Sequence, residues 1–254
     1  MSARRLAWLL ATLCAASALL APAGAQAQVI ETQGQYRSTP QHFAFELKFG
    51  PYRPDVDSEF PAQSDQHPYR DFFGTGRKLM TTMEFDWEIV RHVGTVALGV
   101  GMGYFKETGN NVAGNGSGNT TEDTSSLRLL PFSLSAIYRF DLAYERLRIP
   151  VVPYGKLGFD YVYWTVTNGN GEVPSDPRGG TGQGGTLGWH ATVGLSLILD
   201  VFDQGAANQF DQEMGINHTH LFFEFTHLDA SGLGASNRLH VGDTTWNAGI
   251  MFEF

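Results

Sequence analysis

Three acids stand two residues apart in "MEFDWEIV": Glu84, Asp86 and Glu88. Glu46 and Lys48, Lys156 and Asp160, Arg139, Glu224 and Glu253 stand in the same way, with apolar residues on either side. Rows of charge at alternate positions on strands can line an ion pathway, or they can pair and fill a narrow channel. Acids outnumber bases in this set, so a conducting row would prefer cations. His218 and His220 lie two apart and, with His227 or His240, have the chemistry of metal ligands, but the spacing is not that of a compact set. Asp55, Asp57 and Glu59 in "PDVDSEF" could begin a calcium loop, yet the Gly turn and distal bidentate Glu are missing. The runs "GNNVAGNGSGN" and "GGTGQGG" invite a phosphate cradle but lack the Lys-Ser/Thr and helix it needs, and read as loop tips. Ser64, Asp65, His67, His227 and Asp229 offer nucleophile and base types with no motif joining them. The sequence therefore assigns no catalytic, metal or cofactor-binding residue, and the chain reads as a non-enzyme.

The elements that position these groups begin after a leader. "MSARR" is basic, "LAWLLATLCAASALLAPAGA" is apolar and grows rich in small residues, and "AGAQAQ" offers cleavage sites. Residues 1–27 read as a cleaved secretory signal peptide. Cys14 is the one cysteine, and Leu13 before it is too large for a lipid-attachment site. Without residues 1–27 the chain has 15 basic residues against 26 acidic ones, which argues against nucleic acid as a partner. Beyond the leader no run of 18 apolar residues exists, so no membrane helix is expected.

Alternation carries the fold. Counting back by twos from the end gives Phe254, Phe252, Ile250, Ala248 and Trp246, with Glu253, Met251, Gly249 and Asn247 between them. Side chains on a strand alternate faces, so this is a strand with one apolar face. The pattern recurs over 43–49, 83–89, 96–104, 130–139, 157–163, 189–197 and 221–226, giving eight strands. In a soluble sandwich the apolar face would be the core. Three features invert that reading. Most strands can be drawn about ten residues long, the span of a tilted strand in a bilayer. The polar face is full of Gly and Ser with scattered charges, which suits a narrow interior. Connections alternate, with long segments at 51–78, 106–125, 167–186 and 229–240 and short ones at 91–94 and 141–149. The segment 200–218 is long but falls on the short-turn side, and "AANQFDQEM" has room for one or two helical turns. Aromatics gather where interfacial girdles belong, at Tyr104 and Phe105, Tyr138 and Phe140, Tyr161 to Trp164, Trp189, Trp246, Phe252 and Phe254. The expectation is an all-β fold, a closed antiparallel eight-stranded transmembrane β-barrel over 42–254, behind a short periplasmic segment, 28–41.

A last strand of alternating apolar residues ending in Phe254 resembles the assembly signal of bacterial outer-membrane barrels. The resemblance extends over 42–254 to small barrels of the OmpA/OmpX and OmpW kind. "FDQEMGINHTHLFFEFT" and "LHVGDTTWNAGIMFEF" are similar to a barrel family of myxobacterial-type Gram-negative genomes, which implies no activity and no site residues. The resemblance implies an outer-membrane location, with lipid and the barrel-assembly machinery as partners, and Trp246, Ile250, Phe252 and Phe254 as the assembly signal. The reading of the whole chain is an envelope-structural or surface-interaction role through the loops at 51–78, 106–125 and 167–186, toward an unidentified extracellular ligand. The lumen set would be Glu46, Lys48, Glu84, Asp86, Glu88, Arg139, Lys156, Asp160 and Glu224, acting as a plug. The alternative is a narrow pore or lateral-exit channel for small or hydrophobic molecules.

Overall fold

A computed structural model describes residues 40–60, 66–112, 120–175, 181–235 and 239–254. The leader, most of the 28–41 segment, Ser64 and Asp65 lie outside the described residues. Eight strands follow one another: β1 (Phe43–Tyr52), β2 (Lys78–Arg91), β3 (Thr95–Val112), β4 (Thr120–Arg139), β5 (Val151–Thr167), β6 (Gln183–Ile198), β7 (His218–Asp229) and β8 (Asp243–Glu253). Each pairs antiparallel with its neighbours, and β1 pairs with β8 from Ala44 opposite Glu253 to Phe49 opposite Ala248. The barrel is closed. At the seam, Phe254 donates its N–H to the Phe43 carbonyl at 2.8 Å and accepts from Phe43 and His42.

The alternation in the sequence becomes inside and outside. Met83, Phe85, Trp87 and Ile89 on β2 point out and are exposed, while Glu84, Asp86 and Glu88 between them are buried. On β3, Val96, Leu98, Val100, Met102 and Tyr104 point out; on β5, Leu157, Phe159 and Tyr161 do. A belt this apolar around a charged interior is the inverse of a soluble protein, and fits a closed sheet whose solvent is hydrocarbon. The molecule is thus a transmembrane β-barrel.

Three connections carry helices. A 3-10 turn at Val56–Glu59 and helix α1 (Pro68–Phe73) lie between β1 and β2. Helix α2 (Leu142–Leu147) lies between β4 and β5, and α3 (Gln204–Met214) between β6 and β7. Three expectations change. The 106–125 loop is largely strand, because β3 runs to Val112 and β4 starts at Thr120. Its Thr, Ser and Glu residues break the apolar alternation but still pair across the hairpin, Thr108 opposite Ser126. The end of the "GGTGQGG" run is also strand, where Gly184 and Gly185 lie under the Trp164 and Tyr161 rings. The 200–218 turn holds an 11-residue helix, longer than one or two turns. Asp203 caps its start by accepting from the Ala206 N–H at 2.9 Å, and Gly215 ends it in a left-handed conformation.

Candidate functional site in the barrel lumen

Alternate residues of every strand point into one narrow space, so side chains far apart in sequence meet there. Lys156 on β5 reaches Glu46 at 2.5 Å and Glu84 at 2.8 Å. Lys48 also reaches Glu84 at 2.8 Å and Glu224 at 3.2 Å. Arg139 binds Asp86, lies 3.2 Å from Glu46 and extends to Glu88 at 3.4 Å. All of these groups are buried. Eight of the nine lumen residues expected from the sequence thus form one network. The ninth, Asp160, is inside but turns away from the lysines toward His190.

Several members lay outside the expected lumen set. Gln41, just before β1, donates to Glu253 at 2.7 Å and to Glu88 at 3.4 Å at the short-turn end. Tyr154 donates its hydroxyl to Glu224 at 2.9 Å. His220 lies 3.3 Å from Glu253 and contacts Ser196 at 3.1 Å. Six buried carboxylates, Glu46, Glu84, Asp86, Glu88, Glu224 and Glu253, thus share the interior with three fixed cations, Lys48, Arg139 and Lys156. Glu84 Oε1 and Asp86 Oδ1 make no hydrogen bond among the described residues. Both lie beside Gly99, each within 2.6 Å of the place a Cβ would take.

Next to the ionic layer, His190 crosses the floor of the lumen. Its Nδ1 lies 2.6 Å from Asp160 and its Nε2 lies 3.2 Å from the Ser135 hydroxyl. Ser135, Gly158 and His190 are register partners across β4, β5 and β6. Gly158 makes the bridge possible, because a Cβ there would sit 2.5 Å from the imidazole and 2.4 Å from the Leu134 carbonyl. The order is that of nucleophile, base and orienting carboxylate. An acyl-transfer site also needs N–H donors aimed at the oxyanion. Ser135 stands mid-strand, paired with Gly99 on one side and Gly158 on the other, so the surrounding amides point along the sheet into the ladder. The trio is a buried polar bridge.

Beyond this layer is a cavity of about 90 Å³, touched by Lys48, Ser133, His190 and Asn247. That admits a few water molecules and falls well short of the roughly 300 Å³ at which ligand pockets begin. Toward the long loops the interior turns apolar. Tyr52, Phe105, Leu127, Leu129 and Val162 pack with Tyr69 of α1 and with Ala230 and Val241 of the last loop. The expectation of a polar interior throughout thus fails in this half. Here the inward faces of β3 and β4 run on past the belt and serve as the core of a small lobe. Tyr69 closes it, donating its hydroxyl to the buried Glu107 carboxylate. Burial, then Glu107, raises the Tyr69 pKa far above its ordinary value and keeps the hydroxyl a donor.

The remaining candidates have local partners. Asp57 accepts from the Tyr69 and Arg70 N–H groups at 2.7 and 3.2 Å and so caps α1. Glu59 accepts from the His240 N–H at 2.5 Å, and the Asp55 N–H donates to Gly242. The four histidines do not converge. His218 pairs with Asp200 at 2.5 Å at the short-turn end, while His227 meets Thr244 and His240 meets Ser58 near the loops. Seven residue steps along β7 from His220 to His227 amount to roughly 20 Å. His67 precedes α1, and Asp229 ends β7.

Two substitutions test the packing of this interior. Lys156→Met leaves Glu46 and Glu84 short of a cation, and the unfolding free energy in urea with lipid vesicles should fall by about 3 kcal/mol. Gly158→Ala should force His190 off Ser135 and lower it by about 1–3 kcal/mol, with a new histidine side-chain NMR environment as the local readout.

No protein-family model matches the chain, and no curated protein matches it. Among solved structures it is similar to Ail, the attachment invasion locus protein of Yersinia pestis, in complex with the heparin analogue sucrose octasulfate. That match has 10% identity and a TM-score of 0.37 over 84% of this chain and 97% of the other. Neisserial surface protein A matches at 11% identity and a TM-score of 0.45, over 86% of this chain and 99% of the other. The outer membrane protein OprG from Pseudomonas aeruginosa matches at 13% identity and a TM-score of 0.43, over 84% and 96%.

Proposed function

We propose that this chain is an outer-membrane barrel with a plugged lumen, working as a surface-interaction or envelope-structural protein through its long-loop end. The observation that carries the reading is the filling of the lumen at two levels. Lys48, Arg139 and Lys156 tie carboxylates from β1, β2 and β7 across the short-turn half. The apolar lobe under Tyr69 fills the other half. Between them lies the small cavity, and a space of about 290 Å³ opens below the ionic layer beside Arg139, His220 and Glu253, so the salt-bridged layer is what stands across a solute's path. The surface available for recognition includes an open pocket of about 370 Å³ at the loop end, bordered by Arg53, Arg77, His227, His240 and Asp243. Arg77 and Asp243 pair there at 2.6 Å, so the pocket offers both signs of charge to a polar ligand.

One observation favours the alternative of a lateral-exit channel for hydrophobic molecules: the inward row Phe105, Leu127, Leu129 and Val162 is apolar. Tyr69 and Phe73 of α1 pack on it, so that route needs α1 to move. Conductance across a planar bilayer separates the readings. The wild type should be silent, and a Glu84→Ala, Asp86→Ala, Glu88→Ala variant should leak, because Arg139 and Lys156 lose their anchors on β2. Steady cation-selective steps from the wild type would make the protein a pore.

Export, insertion and the terminal strand belong to the same proposal. Phe254 packs 6.2 Å from both Phe43 and Phe85, between centroids, on the outer face of the seam. Read as an assembly signal with Trp246, Ile250 and Phe252, it would matter more to delivery than to the finished barrel. Deleting Phe254 should lower the folded, heat-modifiable fraction in cells several-fold while leaving refolding into detergent nearly intact. Equal yields in cells would count against the signal.

A further inference from the structure

The short-turn end carries exposed apolar side chains that neither the lumen nor the loops use. Helix α3 is the centre of them. Phe202 before it is 72% exposed, and Phe210 and Met214 on it are 46% and 66% exposed. Ala206, Phe210 and Met214 are spaced by four and so share one stripe. Gln204, Asn208 and Gln212 form the opposite side and are exposed and polar. Asp211, one residue from Phe210, is buried and faces the barrel end. The helix therefore rests one flank on the rim and leaves an apolar stripe about a quarter-turn away uncovered.

The patch is continuous with the apolar belt. Phe202 comes four residues after Ile198, the end of β6, whose Leu195 points outward beside Phe223 of β7 in the belt. The Ile198 N–H donates to the Pro150 carbonyl at 2.8 Å, which brings the 147–150 segment alongside the turn into α3. Leu147 and Ile149 are exposed there as well. Exposed apolar groups in one patch mark a contact surface. The charge of this one selects its partner. From Asp203 to Met214 there are three acids, Asp203, Asp211 and Glu213, and no base, while Arg146 and Arg148 flank Leu147 on the adjoining segment, so the helix itself offers anionic headgroups nothing. The helix needs no such attraction, since both its ends are tied to strands already in the bilayer, which holds it at high effective concentration at the surface.

We infer that α3 is an interfacial helix that lies in the near leaflet of the membrane, with Phe202, Phe210 and Met214 among zwitterionic phospholipid chains, and so fixes the depth of the barrel. The stripe is an amphipathic face of the kind that inserts at the headgroup boundary, here without a basic flank. The inference rests on the membrane-spanning reading of the barrel, and the experiment keeps the two apart.

The one cysteine is Cys14, so a Cys14→Ser background accepts single labels at chosen sites. Nitroxides are placed at Phe210→Cys and Met214→Cys, at Asn208→Cys and Gln212→Cys on the polar side, and at Leu195→Cys in the belt. All five positions avoid the lumen. The protein is refolded into phosphatidylcholine vesicles, and collisions with oxygen, which enriches in lipid, are compared with those of a water-soluble nickel complex. Positions 195, 210 and 214 should favour oxygen several-fold over 208 and 212, and adding anionic lipid should leave the contrast unchanged. A belt label in lipid with 210 and 214 in water would overturn the helix inference alone. A belt label in water would overturn the membrane reading and this inference with it. Spin–spin broadening at 210 with low access to both reagents would assign the stripe to a second copy of the chain, which also overturns the inference.

Discussion

In hydrocarbon no water is present to satisfy a free N–H or carbonyl, so every backbone group in the span must be paired by the chain itself. The pairing of β1 with β8 is the step that meets this demand, and the rest of the structure depends on it. Closure with eight strands fixes the width of the lumen at about that of the side chains pointing into it. Outward positions must then be apolar and inward positions must fill a narrow tube. The fold leaves little freedom between these two conditions, which is why one alternation of residues runs through all eight strands.

The tube is filled in two ways, and each suits its depth. Within the span, charges pair across strands: Lys156 touches β1 and β2 from β5, and Arg139 does the same from β4. Such buried pairs add little net stability over an apolar core, but they specify register strongly. A one-residue slip of β2 would turn Glu84, Asp86 and Glu88 into lipid. Beyond the span the inside no longer needs polar groups to balance a lipid-facing outside. Phe105, Leu127, Leu129 and Val162 there form an ordinary core with α1 and the last loop above it. The excess of carboxylates in the ionic layer is tolerable because the cavity beside it reaches Glu84 and Glu224 and has room for a few waters to hydrate them.

The two ends of the barrel therefore differ in kind. The long-loop end is a packed lobe with hydrogen-bonded loops and an open, mixed-charge pocket. At the short-turn end Gln41 bridges Glu88 and Glu253, and the helices at 142–147 and 204–214 flank the strand ends. The proposed recognition role draws on the first end, and the inferred seating of α3 in the membrane draws on the second.

Period-two alternation and the lengths of the connections made the architecture legible in the sequence, because lipid outside and a narrow lumen inside constrain residues that are neighbours in the chain. The same alternation placed Glu46, Lys48, Glu84, Asp86, Glu88, Arg139, Lys156 and Glu224 indoors, since facing is a local property of a strand. Which of them meet was decided only by closure. Asp160 lies four residues from Lys156, yet it pairs with His190, because Gly158 leaves a gap over which the imidazole reaches Ser135. The apolar lobe was hidden for a related reason. Phe105, Leu127 and Leu129 keep the inward phase of their strands, so Phe105, expected in the aromatic girdle beside Tyr104, is buried inside instead, and which inward residues the loops cover is not a local property. The boundary belongs to the assembled barrel, where strand length, tilt and the covering loops together determine which part of the inside is surrounded by lipid.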